Sequence, residues 1–164
     1  MATPTTLPST FSAGAVLTAA QMNNLRGAFR IMQVVFGSTS TEVATSSTTY
    51  SDSNLSATIT PSDTNSKILV LVSQQCFKSS GNASNGVNLR LVRGSTTVQT
   101  WTTNLYTNST VEQWGMQSLV YLDSPASTSA LTYKTQVANF VAAAEVAVQR
   151  GGRYSSIILA EVSA

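Results

Sequence analysis

The sequence predicts a mainly β protein, an antiparallel jelly-roll sandwich of eight or nine strands preceded by an extended N-terminal arm and one short helix. Three observations lead there. Short apolar or alternating runs recur along most of the chain, separated by clusters of Ser, Thr, Asn, Asp and Gly that favour turns. No strand–helix–strand alternation appears, which argues against a parallel sheet. One run, Lys67 to Phe77 (KILVLVSQQCF), is apolar on both sides in its first half. Ile68, Val70 and Val72 point one way and Leu69, Leu71 and Ser73 the other, so this strand is expected to be covered on both faces.

Residues 1–30 form the predicted arm and helix, and residues 31–164 the β domain. Pro4 and Pro8 among Thr and Ser keep the first residues extended, with Leu7 and Phe11 as the large apolar groups. Thr18 followed by Gln21 makes a capping-box pattern. Met22, Leu25 and Phe29 then fall on one helical stripe. A helix of about three turns must dock to persist, either under its own sheet or on another protein.

The β region opens with Ile31 to Phe36, and a Ser/Thr-rich segment follows with a strand expected around Glu42 to Tyr50. Leu55, Ala57 and Ile59 alternate with polar residues until Pro61 stops the run. After the Lys67 strand, Val87 to Trp101 reads as a hairpin turning at Gly94. Val111 to Tyr121 is a long strand in which Gly115 marks a bulge or a close approach. Leu131 to Val141 alternates cleanly, AAAEVAV leads to the Gly151-Gly152 turn, and Ser155 to Val162 closes the chain. Fixed-period self-similarity of the kind that marks solenoids is absent.

Charged residues are 10% of the 164, against about 25% in an ordinary domain, and hydroxyl and amide side chains take their place. A net charge of +2 without a basic cluster argues against nucleic acid. No run nears the ~18 apolar residues of a membrane span, and the first residues lack a basic leader. The expectation is a chain made in a cytoplasm, with no membrane partner.

No histidine is present, so Ser–His and Cys–His dyads cannot form within one chain. A single cysteine, Cys76, excludes an intrachain disulfide and the usual zinc sites. Inside an apolar strand it reads as an inert core thiol, with an intermolecular bridge as the alternative. No glycine-rich phosphate cradle occurs, and no spacing singles out a carboxylate pair suited to glycoside hydrolysis. Neither an enzyme nor a cofactor or metal is expected. Tyr50, Trp101, Tyr106, Trp114, Tyr121 and Tyr154 are expected to fill the core or a subunit interface. The alternative is that some stack on sugars at a receptor-binding tip. Three N-glycosylation sequons, at Asn54, Asn82 and Asn108, are what chance supplies in so Ser/Thr-rich a chain.

Two segments carry a family resemblance. FSAGAVLTAAQMNNLRGAFRIMQVV resembles the N-terminal segments of tailed-bacteriophage structural proteins. TITPSDTNSKILVLVS, RLVRGST and YLDSPASTSALTYK resemble a β domain widespread in phage virion proteins, tail fibres and other surface components among them. Together these cover most of residues 12–162. The resemblance implies a tumour-necrosis-factor-like jelly roll, a homotrimer, and a place on the surface of the phage particle. It also implies a major capsid protein or a tail or head adaptor as partner. Leu7, Phe11, Met22, Leu25 and Phe29 are then the expected attachment residues, and Ile68, Val70, Val72, Tyr121 and Tyr133 the expected trimer interface. Within this class, a capsid decoration (cement) protein is the first reading, because nothing in the sequence would extend a fibre shaft. A short fibre with a host surface glycan as partner is the second, and a free carbohydrate-binding module comes from another class.

Overall fold

Alternation of inward apolar and outward polar residues, cut by turn formers, gives ten strands in a computed structural model that describes Gly14, Val16, residues 31–142 and residues 144–163. The expected helix with Met22, Leu25 and Phe29, and Leu7 and Phe11 of the expected arm, lie outside the described residues. The strands are β1 (Ile31–Thr39), β2 (Val43–Thr45), β3 (Ser51–Ile59), β4 (Lys67–Lys78) and β5 (Asn85–Arg93). They continue with β6 (Thr96–Thr107), β7 (Gln113–Asp123), β8 (Leu131–Asn139), β9 (Val146–Val148) and β10 (Ser155–Val162).

Two sheets form. One runs β1-β10-β4-β7, with the short β9 and β2 continuing beside the far half of β4; the other runs β3-β8-β5-β6. All the pairings are antiparallel. Apart from the β5–β6 hairpin, the long strands in sequence alternate between the two sheets in the order of a double Greek key, so the architecture is the expected jelly roll.

Three local readings change. The strand expected over Glu42 to Tyr50 shrinks to Val43–Thr45, because Ser and Thr hydroxyls take backbone N–H groups two residues on: Ser47 N–H donates to Thr45 Oγ1 at 3.0 Å and Thr49 N–H to Ser47 Oγ at 3.0 Å. The small-residue stretch before Gln149 contains a buried strand, β9. Gly115 is a close approach and not a bulge: the β4–β7 register is unbroken, and a Cβ there would lie 2.8 Å from Leu105 Cδ2.

The core lies between the sheets in two clusters. Near the end where β1 begins, Leu55, Ile59, Ile68, Val70, Leu91, Tyr133, Ile157 and Leu159 pack together. Toward the other end lie Cys76, Val87, Leu89, Val137, Val146 and Val148. Gln74 and Thr135 stand between the clusters on inward positions and hydrogen-bond to their neighbours there. Thr135 Oγ1 donates to Gln74 Oε1 at 2.7 Å, and Gln74 Nε2 donates to Ser155 Oγ at 3.2 Å. Cys76 is part of this core; burial pushes its thiol far up, so an intermolecular bridge would require the sandwich to open.

Gly37 sits where β1 passes close to β3 of the second sheet, and a Cβ there would run into the Ser56 carbonyl oxygen. Backbone cannot move aside as a side-chain tip can. Gly37→Ala is therefore expected to cost about 2–3 kcal/mol, read as a lowered urea midpoint; an unchanged midpoint would show that β1 and β3 have room to separate.

Candidate assembly face

Strand parity decides what each sheet shows to the outside. In β4, Ile68, Val70 and Val72 turn inward, which leaves Leu69, Leu71 and Ser73 on the outer side. Register then aligns four strands. Val34, Ala160, Leu69 and Leu122 form one row across the sheet, and Phe36, Ile158, Leu71 and Val120 form the next. The third row is Ser38, Ser156, Ser73 and Ser118. Beyond it Met116 and Trp114 extend the outer side of β7.

Eight apolar side chains thus make a continuous patch with no charge in it. Exposure is greatest on the two flanking strands: Val34 is 60% and Phe36 64% exposed on β1, and Val120 is 70% exposed on β7. The other sheet shows the opposite character. On its outer side Lys134 Nζ donates to Asp52 Oδ2 at 2.8 Å, and Gln136 Nε2 to Asp52 Oδ1 at 2.6 Å. Arg90 Nε donates to Gln136 Oε1 at 2.7 Å, and its guanidinium lies 4.3 Å from the Tyr50 ring centroid. One outer side is built for water; the other is not.

This corrects the expected interface. Ile68, Val70 and Tyr133 are 0% exposed within a single chain and Val72 is nearly so; Tyr121 packs against the same core. The four buried side chains cannot meet a sister copy while the sandwich is closed, whereas Tyr121 is only partly buried. The half of β4 that is apolar on both sides left two parities open, and which side faces out is set by which set Ile157, Leu159 and Leu119 join inside. The signal in the sequence was the second set in β7: Val120 and Leu122 bracket Tyr121, so that strand too has no polar side there.

Lys67 lies on the same side at the edge of the patch, and other charged groups are tied locally at the sandwich ends. Buried Asp123 accepts hydrogen bonds from Arg93 and, at 2.6 Å, from the Tyr133 hydroxyl. Burial, with Asp123 alongside, pushes that phenol far above its ordinary value. At the other end Arg150 pairs with Glu42 at 2.6 Å and Glu145 at 2.8 Å. The Gly151 N–H and Arg150 hold the Glu42 carboxyl below the usual range. The six aromatics divide. Trp101 and Tyr121 pack on the core and Tyr50 is half-buried, whereas Tyr106, Trp114 and Tyr154 are exposed. Arg153 lies 4.1 Å over the Trp114 ring, and Phe77 packs against it at 4.6 Å, so this indole already has partners. Among the described residues no group of three metal-ligating side chains comes together.

The fold and its surface define a class: a jelly-roll sandwich with one polar outer side and one apolar outer side. No family model and no curated protein matches the chain. Among solved structures it is similar to the infectious bursal disease virus VP2 subviral particle, with a TM-score of 0.43 and 14% identity over 80% of this chain and 38% of that one. T=1 particles derived from infectious bursal virus give 0.41 and 14% over 82% and 37%. The chain spans less than two fifths of the length of these structures' chains.

Proposed function

We propose that this chain is a non-enzymatic structural protein of a phage virion, a homotrimeric capsid decoration protein attached to the particle through residues 1–30. The observation that carries the reading is the apolar outer side of the β1-β10-β4-β7 sheet, a surface suited to burial against copies of the same chain. Its two most exposed flanks lie on opposite edges of one sheet. A ring suits that placement, because the β1 flank of one copy meets the β7 flank of the next and closure leaves neither in water. The major capsid protein, or an adaptor of tail or head, is the partner for the N-terminal segment.

Light scattering on the full chain is expected to give three times 17.3 kDa; a solitary chain in dilute buffer would end the proposal. Imaging of whole particles separates the duties: copies over the capsid lattice mean decoration, and copies at the tail alone mean a fibre. Replacing Met22, Leu25 and Phe29 together by Ser is expected to release the trimer from particles while leaving it folded. Unfolding of the β domain would instead place those residues in its own core. A short tail or head fibre with a glycan-binding tip is the second reading, favoured by the exposure of Tyr106 and Tyr154. Loss of adsorption to host cells on replacing both by Ala would support it.

A further inference from the structure

The inward side of β4 does not end in an apolar residue. Inward positions run Ile68, Val70, Val72, Gln74, Cys76 and then Lys78, which is 0% exposed at the end of the sandwich opposite the start of β1. Its ammonium has no carboxylate partner; among the described residues it enters no ion pair. Instead Nζ donates within a cage of four backbone carbonyls: Asn82 O at 2.7 Å, Ser79 O at 3.1 Å, Val111 O at 3.3 Å and Ser109 O at 3.4 Å. Two of these belong to the loop after β4 and two to the loop after β6, segments about thirty residues apart. An ammonium has three donors, so four carbonyls saturate it.

A charge taken out of water without a counter-charge is costly unless fixed dipoles replace its hydration. Here the carbonyl dipoles of two loops do so, and the ammonium in turn ties together two loops that, among the described residues, no other side chain bridges at this point, although their own residues are exposed or half-buried. Simple loop closure would need only a methionine or leucine in this place. A convergent set of carbonyls is the arrangement that recognises a bare monovalent cation. We propose that Lys78 is the resident cation of a four-carbonyl site that locks the 79–84 and 108–112 loops into one rigid end of the molecule, and that the same site accepts a free alkylammonium when the side chain is removed.

The test uses Lys78→Ala and Lys78→Met in the full chain. Lys78→Met keeps the stem and loses the charge; a fall in Tm of about 5–15 °C is expected from carbonyls left without donors. Amide hydrogen exchange should rise in residues 79–84 and 108–112 and stay unchanged in β3 and β8. Lys78→Ala lacks the three methylenes and the ammonium that n-propylammonium supplies. Adding n-propylammonium at tens of millimolar is expected to recover at least half of its loss in Tm, whereas n-propanol, of like size and uncharged, should recover none. Equal recovery by the alcohol would make the site a plain cavity. A Lys78→Met protein as stable and as protected as the parent would overturn the proposal even if the alanine variant failed to fold.

Discussion

Leu71→Asp is expected to give a folded, solitary chain, and Val70→Asp no folded chain at all. The two residues are neighbours in β4 and differ only in the side they occupy. Val70 is fully buried between the sheets, and Leu71 lies in the row Phe36–Ile158–Leu71–Val120 on the outer side. An ionised carboxylate at Val70 would stand among Ile68, Leu91 and Ile157 with no donor. That costs about 4 kcal/mol or more, a large part of the ~5–15 kcal/mol that holds a domain together. At Leu71 the same group meets water in a lone chain and meets apolar side chains in an assembled one. Association should weaken at least about 1000-fold, or ~4 kcal/mol, with the circular dichroism spectrum unchanged. Light scattering and circular dichroism on both variants read the outcome. A Leu71→Asp chain that still forms trimers would remove this side of the sheet from the interface.

Acidification from pH 5 to pH 2 is expected to strip about 3 kcal/mol of stability through one residue, Glu161. It occupies an inward position of β10 at the end where β1 begins, is fully buried, and accepts Gln33 Nε2 at 2.6 Å, Ser62 N–H at 2.7 Å and Ser62 Oγ at 2.6 Å. Burial by itself would push its carboxyl up. The hydrogen bonds from Ser62 and Gln33 outweigh burial and hold the group at about 2, below the ordinary 4.5. A folded-state value below the unfolded one means stability that is fully present above pH 4.5 and is lost as pH falls toward 2. The magnitude follows from about 1.4 kcal/mol for each pH unit of that window. Urea unfolding of the parent should therefore weaken steeply between pH 4.5 and 2. Glu161→Gln should start about 3 kcal/mol lower at pH 7 and show a flatter acid limb. Parallel pH profiles would mean that Glu161 does not bind its donors this tightly.

Glu161 and Lys78 stand at opposite open ends of one sandwich. Each is a buried charge satisfied without an opposite charge: the carboxylate by N–H and O–H donors, the ammonium by carbonyls. Neither was singled out in the sequence. Seen there, Lys78 is a polar residue at a strand's end and Glu161 a charge in an apolar strand. Alternation continues through them in register with the core, which was the available signal.

The sequence alone determined the fold class, most of the strand order along the chain, the β5–β6 hairpin at Gly94 and the Lys67 run as the central strand, since each rests on a period of two and on turn chemistry read within a few residues. It also left the first half of β4 with two apolar sides. Only the tertiary structure decided which of them is core. A slip of one residue exchanges every side chain between faces, and the choice depends on register with β10 and β7, strands some fifty to ninety residues away in the chain. For the same reason the exposed apolar side emerged as Leu69, Leu71, Val120, Leu122, Ile158, Ala160, Val34 and Phe36, drawn from four strands that no local pattern connects.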